Sequence, residues 1–114
     1  MKTYSRNQKA RLRLMAELFD AAHDELTRHN HDYGLCRALY HVWNECENKY
    51  PSHEWKPAHV ACVHLVRRSL GGYAFLEDWA RAKGCPTATN ADFFAARKRW
   101  AKQLAAACRE AGES

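Results

Sequence analysis

Glycine and proline are scarce in this chain, with five and three occurrences among 114 residues. That scarcity excludes a collagen-like repeat and a glycine- or proline-rich linker. No apolar run approaches the roughly 18 residues needed to cross a bilayer, so a membrane-spanning helix is not expected. The N-terminus is charged where a secretory leader carries an apolar core, and the expectation is a cytoplasmic protein. No stretch sustains the period-two alternation of a strand. Also missing are a phosphate-cradling glycine loop, a nucleophile elbow and a histidine pair flanking a glutamate on one helix turn.

The cysteines do not form an even set: there are five, Cys36, Cys46, Cys62, Cys85 and Cys108. Four of them fall in segments with helical spacing, which reads as buried free thiols in a reducing compartment and not as a disulfide framework. Cys62 lies on an apolar helix face, where burial raises a thiol pKa and removes its reactivity. No enzymatic activity and no cofactor are expected.

Acidic residues are absent from the first thirteen positions, which hold Lys2, Arg6, Lys9, Arg11 and Arg13. Those five account for the net charge of +5, because the remaining 13 basic residues match the 13 acidic ones. Most of the molecule is therefore electrically balanced, with a cationic end.

What is present is helical periodicity, broken by the few prolines and glycines. The spacing predicts helices over residues 5–30, 33–48, 57–70, 73–83 and 89–111. Ser5 and Gln8 make a capping-box pair at the start of the first. Leu12, Met15, Phe19, Ala22 and Leu26 follow on one face. Basic residues at that helix start oppose its macrodipole, a placement that hints at a partner. Leu35, Leu39, Val42, Trp43 and Cys46 line the second helix. Ala58, Cys62, Leu65, Val66 and Ser69 line the third, which opens at Pro57, where a missing amide costs nothing. The fourth carries Phe75, Leu76 and Trp79 and stops at Gly84. The fifth opens with Thr89 and Asp92 and carries Phe93, Trp100, Leu104 and Cys108. The expected architecture is all-α, a single domain over 1–114 in which four to five helices pack as antiparallel neighbours.

Several constellations admit a functional reading beside a plainer one. Cys46, His53, His59 and Cys62 have the donor chemistry for zinc, although their spacing matches no finger or ribbon and a metal-free core is the plainer reading. Lys98, Lys102 and Arg109 share an outward stripe on the last helix. With the cationic N-terminal segment they suit phosphate contacts, or they simply solvate the helix. Trp55 falls in a loop between Pro51 and Pro57; there it folds back as a lid over the core, the preferred reading, or anchors an interface. Val60 and Val63 lean off the apolar stripe of the third helix beside His64 and Arg67, a face that the preceding loop, a partner or a second copy of the chain would cover.

Three segments carry a family resemblance: Leu35-Cys36-Arg37-Ala38-Leu39, then Phe75-Leu76-Glu77-Asp78-Trp79 ending at Gly84, then Arg97-Lys98-Arg99-Trp100 with Leu104. Together, from Gly34 to Cys108, they resemble small phage-encoded helical proteins of unassigned function. The matching positions are mostly core positions and carry no catalytic residue. The resemblance implies an accessory protein acting in a bacterial cytoplasm, of the kind that blocks a host machine such as a defence complex in the manner of an anti-CRISPR protein.

The expected function is accordingly non-enzymatic binding to a host protein or protein complex. The candidate partner-binding residues are Lys2, Arg6, Lys9, Arg11, Arg13, Trp55, Val60, His64, Arg67, Lys98 and Lys102. The alternative is a sequence-tolerant nucleic-acid binder that uses the basic N- and C-terminal helices.

Overall fold

A computed structural model describes residues 4–29, 35–67, 79–80, 82–84 and 94–113. The helix α1 spans Arg6–His29 and opens on the expected capping box: the Ser5 amide donates to Gln8 Oε1 at 2.9 Å, and the Gln8 amide donates to Ser5 Oγ at 3.2 Å. Its predicted apolar face is fully buried at Leu12, Met15, Phe19, Ala22 and Leu26. This helix is the centre of the fold, since α2, α4 and α5 all pack against it.

The predicted second helix is two helices, α2 (Leu35–His41) and α3 (Trp43–Lys49), with a break at Val42. The cause lies in the carbonyl of Leu39. A continuous helix would send it to the Trp43 amide. Instead, the Val42 amide is shared between Ala38 O and Leu39 O at 3.3 and 3.2 Å, and His59 Nε2 donates to the same Leu39 oxygen at 2.9 Å. The sequence spacing carried no sign of that competition, because His59 comes from another helix.

The helix α4 runs Ser52–Val66, so the expected start at Pro57 is corrected to Ser52, with Pro51 as its cap. Pro57 lies inside the second turn and forfeits a backbone hydrogen bond, at a cost of up to about 3 kcal/mol. Trp55 sets the balance. It is 1% exposed, and its ring meets Trp43 edge-on with centroids 4.2 Å apart. Burying about 200 Å² of indole at about 25 cal/mol per Å² contributes about 5 kcal/mol, enough to offset the proline. Ala58, Cys62, Leu65 and Val66 continue that buried face as expected.

The last helix, α5, spans Phe94–Glu113 and buries Trp100, Leu104 and Cys108. It runs antiparallel to α1. At Gly84 the backbone turns with φ +90°, the left-handed conformation expected where a helix stops. Ahead of it Lys83 donates to Trp79 O and Ala80 O. The radius of gyration is 13.0 Å, the value of about 13 Å expected for one globule of this length. Among the described residues there is no strand, and the fold is all-α. The expectations for Lys2, Ser69, Phe75, Leu76, Thr89, Asp92 and Phe93 lie outside the described residues.

Candidate protein-interaction surface

The basic side chains divide into those the fold engages and those it leaves to solvent. Arg13 belongs to the first group: its Nη1 donates to the carbonyl of Gly112 at 2.9 Å. This contact rests on a close approach, because a Cβ on Gly112 would stand 2.9 Å from Arg13 Cγ and 3.0 Å from the Lys9 carbonyl oxygen. The basic start of α1 therefore lies beside the C-terminal end of α5, where the helix dipole favours cations. Part of the charge that opposes the dipole of α1 complements that of its neighbour.

Lys102 and Arg109 are engaged too. Lys102 Nζ and Arg109 Nη2 reach the two oxygens of Asp20 on α1 at 3.1 and 2.9 Å. Burial pushes the Asp20 carboxyl up, but the hydrogen bonds and charges of Arg109 and Lys102 outweigh it and hold its pKa below the usual 3.8. Lys102 and Arg109 are both exposed, as the outward stripe expected of Lys98, Lys102 and Arg109 has them, and both pair with Asp20 there. Lys98 is half-buried.

Of the other cations, Arg28 pairs with Glu25, Lys83 stands over the Trp79 ring, Arg37, Lys49 and Arg99 are exposed, and two further groups lie on α1 and α4. Arg6 and Arg11 are exposed and Lys9 half-buried on α1, and none of the three has an ion pair among the described residues. The second group is the outward ridge of α4, where Lys56, Val60, His64 and Arg67 are all exposed. Val60 is 48% exposed, and Tyr40 on α2, 56% exposed, lies against His59 with ring centroids 5.6 Å apart. Tyr40 was missed as a site residue, although it shares a helix face with outward-pointing Arg37. Val63 is only 7% exposed, so the expectation that it joins Val60 on an open face is corrected. Trp55 folds back onto the core as preferred, but from α4 and not from a loop, and at 1% exposure its expectation as a partner-binding residue is corrected.

The proposed zinc quartet does not assemble. His59 gives Nε2 to Leu39 O, Cys62 Sγ faces Met15 O at 3.8 Å, and His53 stands at the surface beside Glu54 at 3.8 Å. No group of three or more potential ligands converges among the described residues. His59 instead closes an aromatic cluster with Trp43, Trp55 and Tyr40. Burial lowers its pKa, against a smaller upward pull from the Leu39 carbonyl. Burial also pushes the thiols of Cys62 and Cys108 far up, which leaves them protonated and unreactive at neutral pH.

A groove of about 610 Å³ runs between α1 and the start of α4, lined by Arg11, Leu14, Glu17, Tyr50, His53 and Glu54. Its acids and bases offset each other. Tyr50 has its phenol pushed up to about 12, by burial first and then by the Glu17 carboxylate. It stays neutral and cannot serve as a base at ordinary pH.

No helix among the described residues is long and apolar enough to cross a membrane. The described residues define an all-α bundle with an unneutralised cationic surface. No family model, curated protein or solved structure matches the chain.

Proposed function

We propose that this chain is a non-enzymatic accessory protein of the phage-encoded kind. It acts in a bacterial cytoplasm by binding a host protein complex, such as a defence complex, and inhibiting or modulating it. The observation that carries this reading is the partition of charge. Lys102 and Arg109 of α5 are paired with Asp20, whereas Arg6 and Arg11 on α1 and Lys56 and Arg67 on α4 are exposed without a carboxylate partner among the described residues. Local cationic patches around apolar residues favour an acidic protein surface. For the nucleic-acid reading, the pairing of Lys102 and Arg109 with Asp20 lowers the charge that α5 offers to phosphates, while Arg99 stays exposed there, as do Arg6 and Arg11 on α1.

The test is affinity capture from bacterial lysate with the full chain, alongside the Arg6→Glu/Arg11→Glu variant. The reading expects one stoichiometric protein partner that the variant loses. Recovery of no stoichiometric partner counts against it. So does log-linear, salt-dependent binding of duplex DNA by the purified chain, which is the signature of counterion release from phosphates.

A further inference from the structure

We propose that the outward ridge of α4 docks an acidic amphipathic helix of the partner protein. This inference rests on the protein-binding reading above and names the chemistry of the surface that would be recognised.

The argument begins with what the ridge holds. Lys56, Val60, His64 and Arg67 follow one another at helical spacing on the exposed side of α4, and no acidic residue falls among them. Val60 and Tyr40 are the exposed large hydrophobic residues among those described. The ridge thus has an aliphatic centre between two permanent cations, the arrangement of an interface with an apolar core and a charged rim. One cation is preorganised, because the Lys56 ammonium stands 6.0 Å from the Trp43 ring centroid and 5.9 Å from that of Trp55. Holding a long side chain in place before binding lowers the ordering cost of association.

Charge selects among the possible occupants. A second copy of the chain, docked ridge to ridge, would set Lys56 and Arg67 against their own kind, and like charges across an interface are costly. A phosphate backbone would gain two permanent charges and nothing from Val60. An acidic helix matches both features. Lys56 and Arg67 stand about 16 Å apart along the axis at about 1.5 Å of rise per residue. A second helix lying along α4 meets them with carboxylates at the same spacing, and an apolar side chain between them covers Val60.

The experiment titrates the full chain by calorimetry with a synthetic helical peptide of about 18 residues, long enough at about 1.5 Å per residue to span the ridge. The peptide carries glutamates at both ends of one face and leucine at its centre. Expected is saturable one-to-one binding at low salt. Val60→Asp weakens it by about tenfold or more, as loss of a central contact does, Arg67→Glu weakens it through charge reversal at the rim, and both variants remain folded at the temperature of the titration. Arg11→Glu on α1 leaves it unchanged. The proposal is overturned by no saturable binding at low salt, by binding indifferent to Val60→Asp and Arg67→Glu, or by tighter binding of duplex DNA. It is overturned equally by a concentration-dependent dimer that Val60→Asp abolishes, which assigns the ridge to a second copy. Peptide binding lost in Arg11→Glu but kept in Val60→Asp overturns the ridge while leaving the broader protein-binding reading standing.

Discussion

His59 donates its Nε2 hydrogen to the carbonyl oxygen of Leu39 across 2.9 Å, and with it α4 is tied to the last turn of α2. The same oxygen accepts the Val42 amide at 3.2 Å, so this one contact both docks two helices and marks the break between α2 and α3. Replacing His59 by Ala removes the donor, leaves a cavity among Tyr40, Trp43 and Trp55, and costs about 2–4 kcal/mol. Urea unfolding at neutral pH measures it, and a loss below about 1 kcal/mol would show that the contact is dispensable.

Acid acts on the same residue. The folded protein holds the His59 pKa below 6.5 by burial, so the folded state binds fewer protons than the unfolded chain in that range. Its contribution is fully present above pH 6.5 and is lost as the pH falls from 6.5 through the lowered folded value. Unfolding free energy measured across that window declines toward acid in the wild type. In His59→Phe the part due to this residue is absent, and parallel profiles for the two proteins would contradict the assignment.

Gly112 allows α5 to approach α1. An added Cβ meets Arg13 Cγ at 2.9 Å and the Lys9 carbonyl oxygen at 3.0 Å. Alanine is favoured over glycine in a helix by about 1 kcal/mol, yet here the backbone oxygen cannot yield, and Gly112→Ala is expected to destabilise by about 1–2 kcal/mol net. A thermal midpoint that rises in this variant would show that the two helices separate freely.

Asp20→Asn releases Lys102 and Arg109. These cations are half-exposed, so solvent screening limits the loss of stability to about 1 kcal/mol. Because the Asp20 carboxyl is held below 3.8 in the folded state, its contribution is present above pH 3.8 and disappears as the pH falls through the lower folded value. Urea unfolding of both proteins at pH 7 and near pH 3 measures the difference, and equal stabilities at pH 7 would show that the pair contributes nothing.

Trp55 and Val60 lie on one helix and should respond oppositely. Trp55→Ala empties a core site and costs about 3–5 kcal/mol, whereas Val60→Asp at the surface changes stability by about 0.5 kcal/mol or less. Chemical denaturation of the two variants distinguishes a core tryptophan from an interface anchor.

Much of this was legible one helix at a time. The capping box of Ser5 and Gln8, the buried face from Leu12 to Leu26 and the stop at Gly84 follow from local spacing and backbone preference, which the chain carries within a few residues. The start of α4 was misread because Pro57 is so natural a first residue that it masked Pro51, and the energy favouring the longer helix comes from burying Trp55 elsewhere in the fold. Val63 was misjudged for a similar reason: it borders the apolar stripe, and whether a bordering residue is covered depends on the neighbouring helices.

The surface divides along the same line. The sequence by itself determined that the chain is helical, which faces are apolar, and that its excess positive charge is concentrated at the N-terminal end. Periodicity and composition are local, and they survive without knowledge of any partner segment. Only the tertiary structure decided which cations are spent inside the fold, because Asp20 meets Lys102 and Arg109, and Arg13 meets Gly112, across separations that no helical period spans. The sparse glycines take on new meaning in that light. Gly112 reads as an unremarkable residue near a helix end, yet its missing side chain is what lets the cationic start of α1 lie against the end of α5.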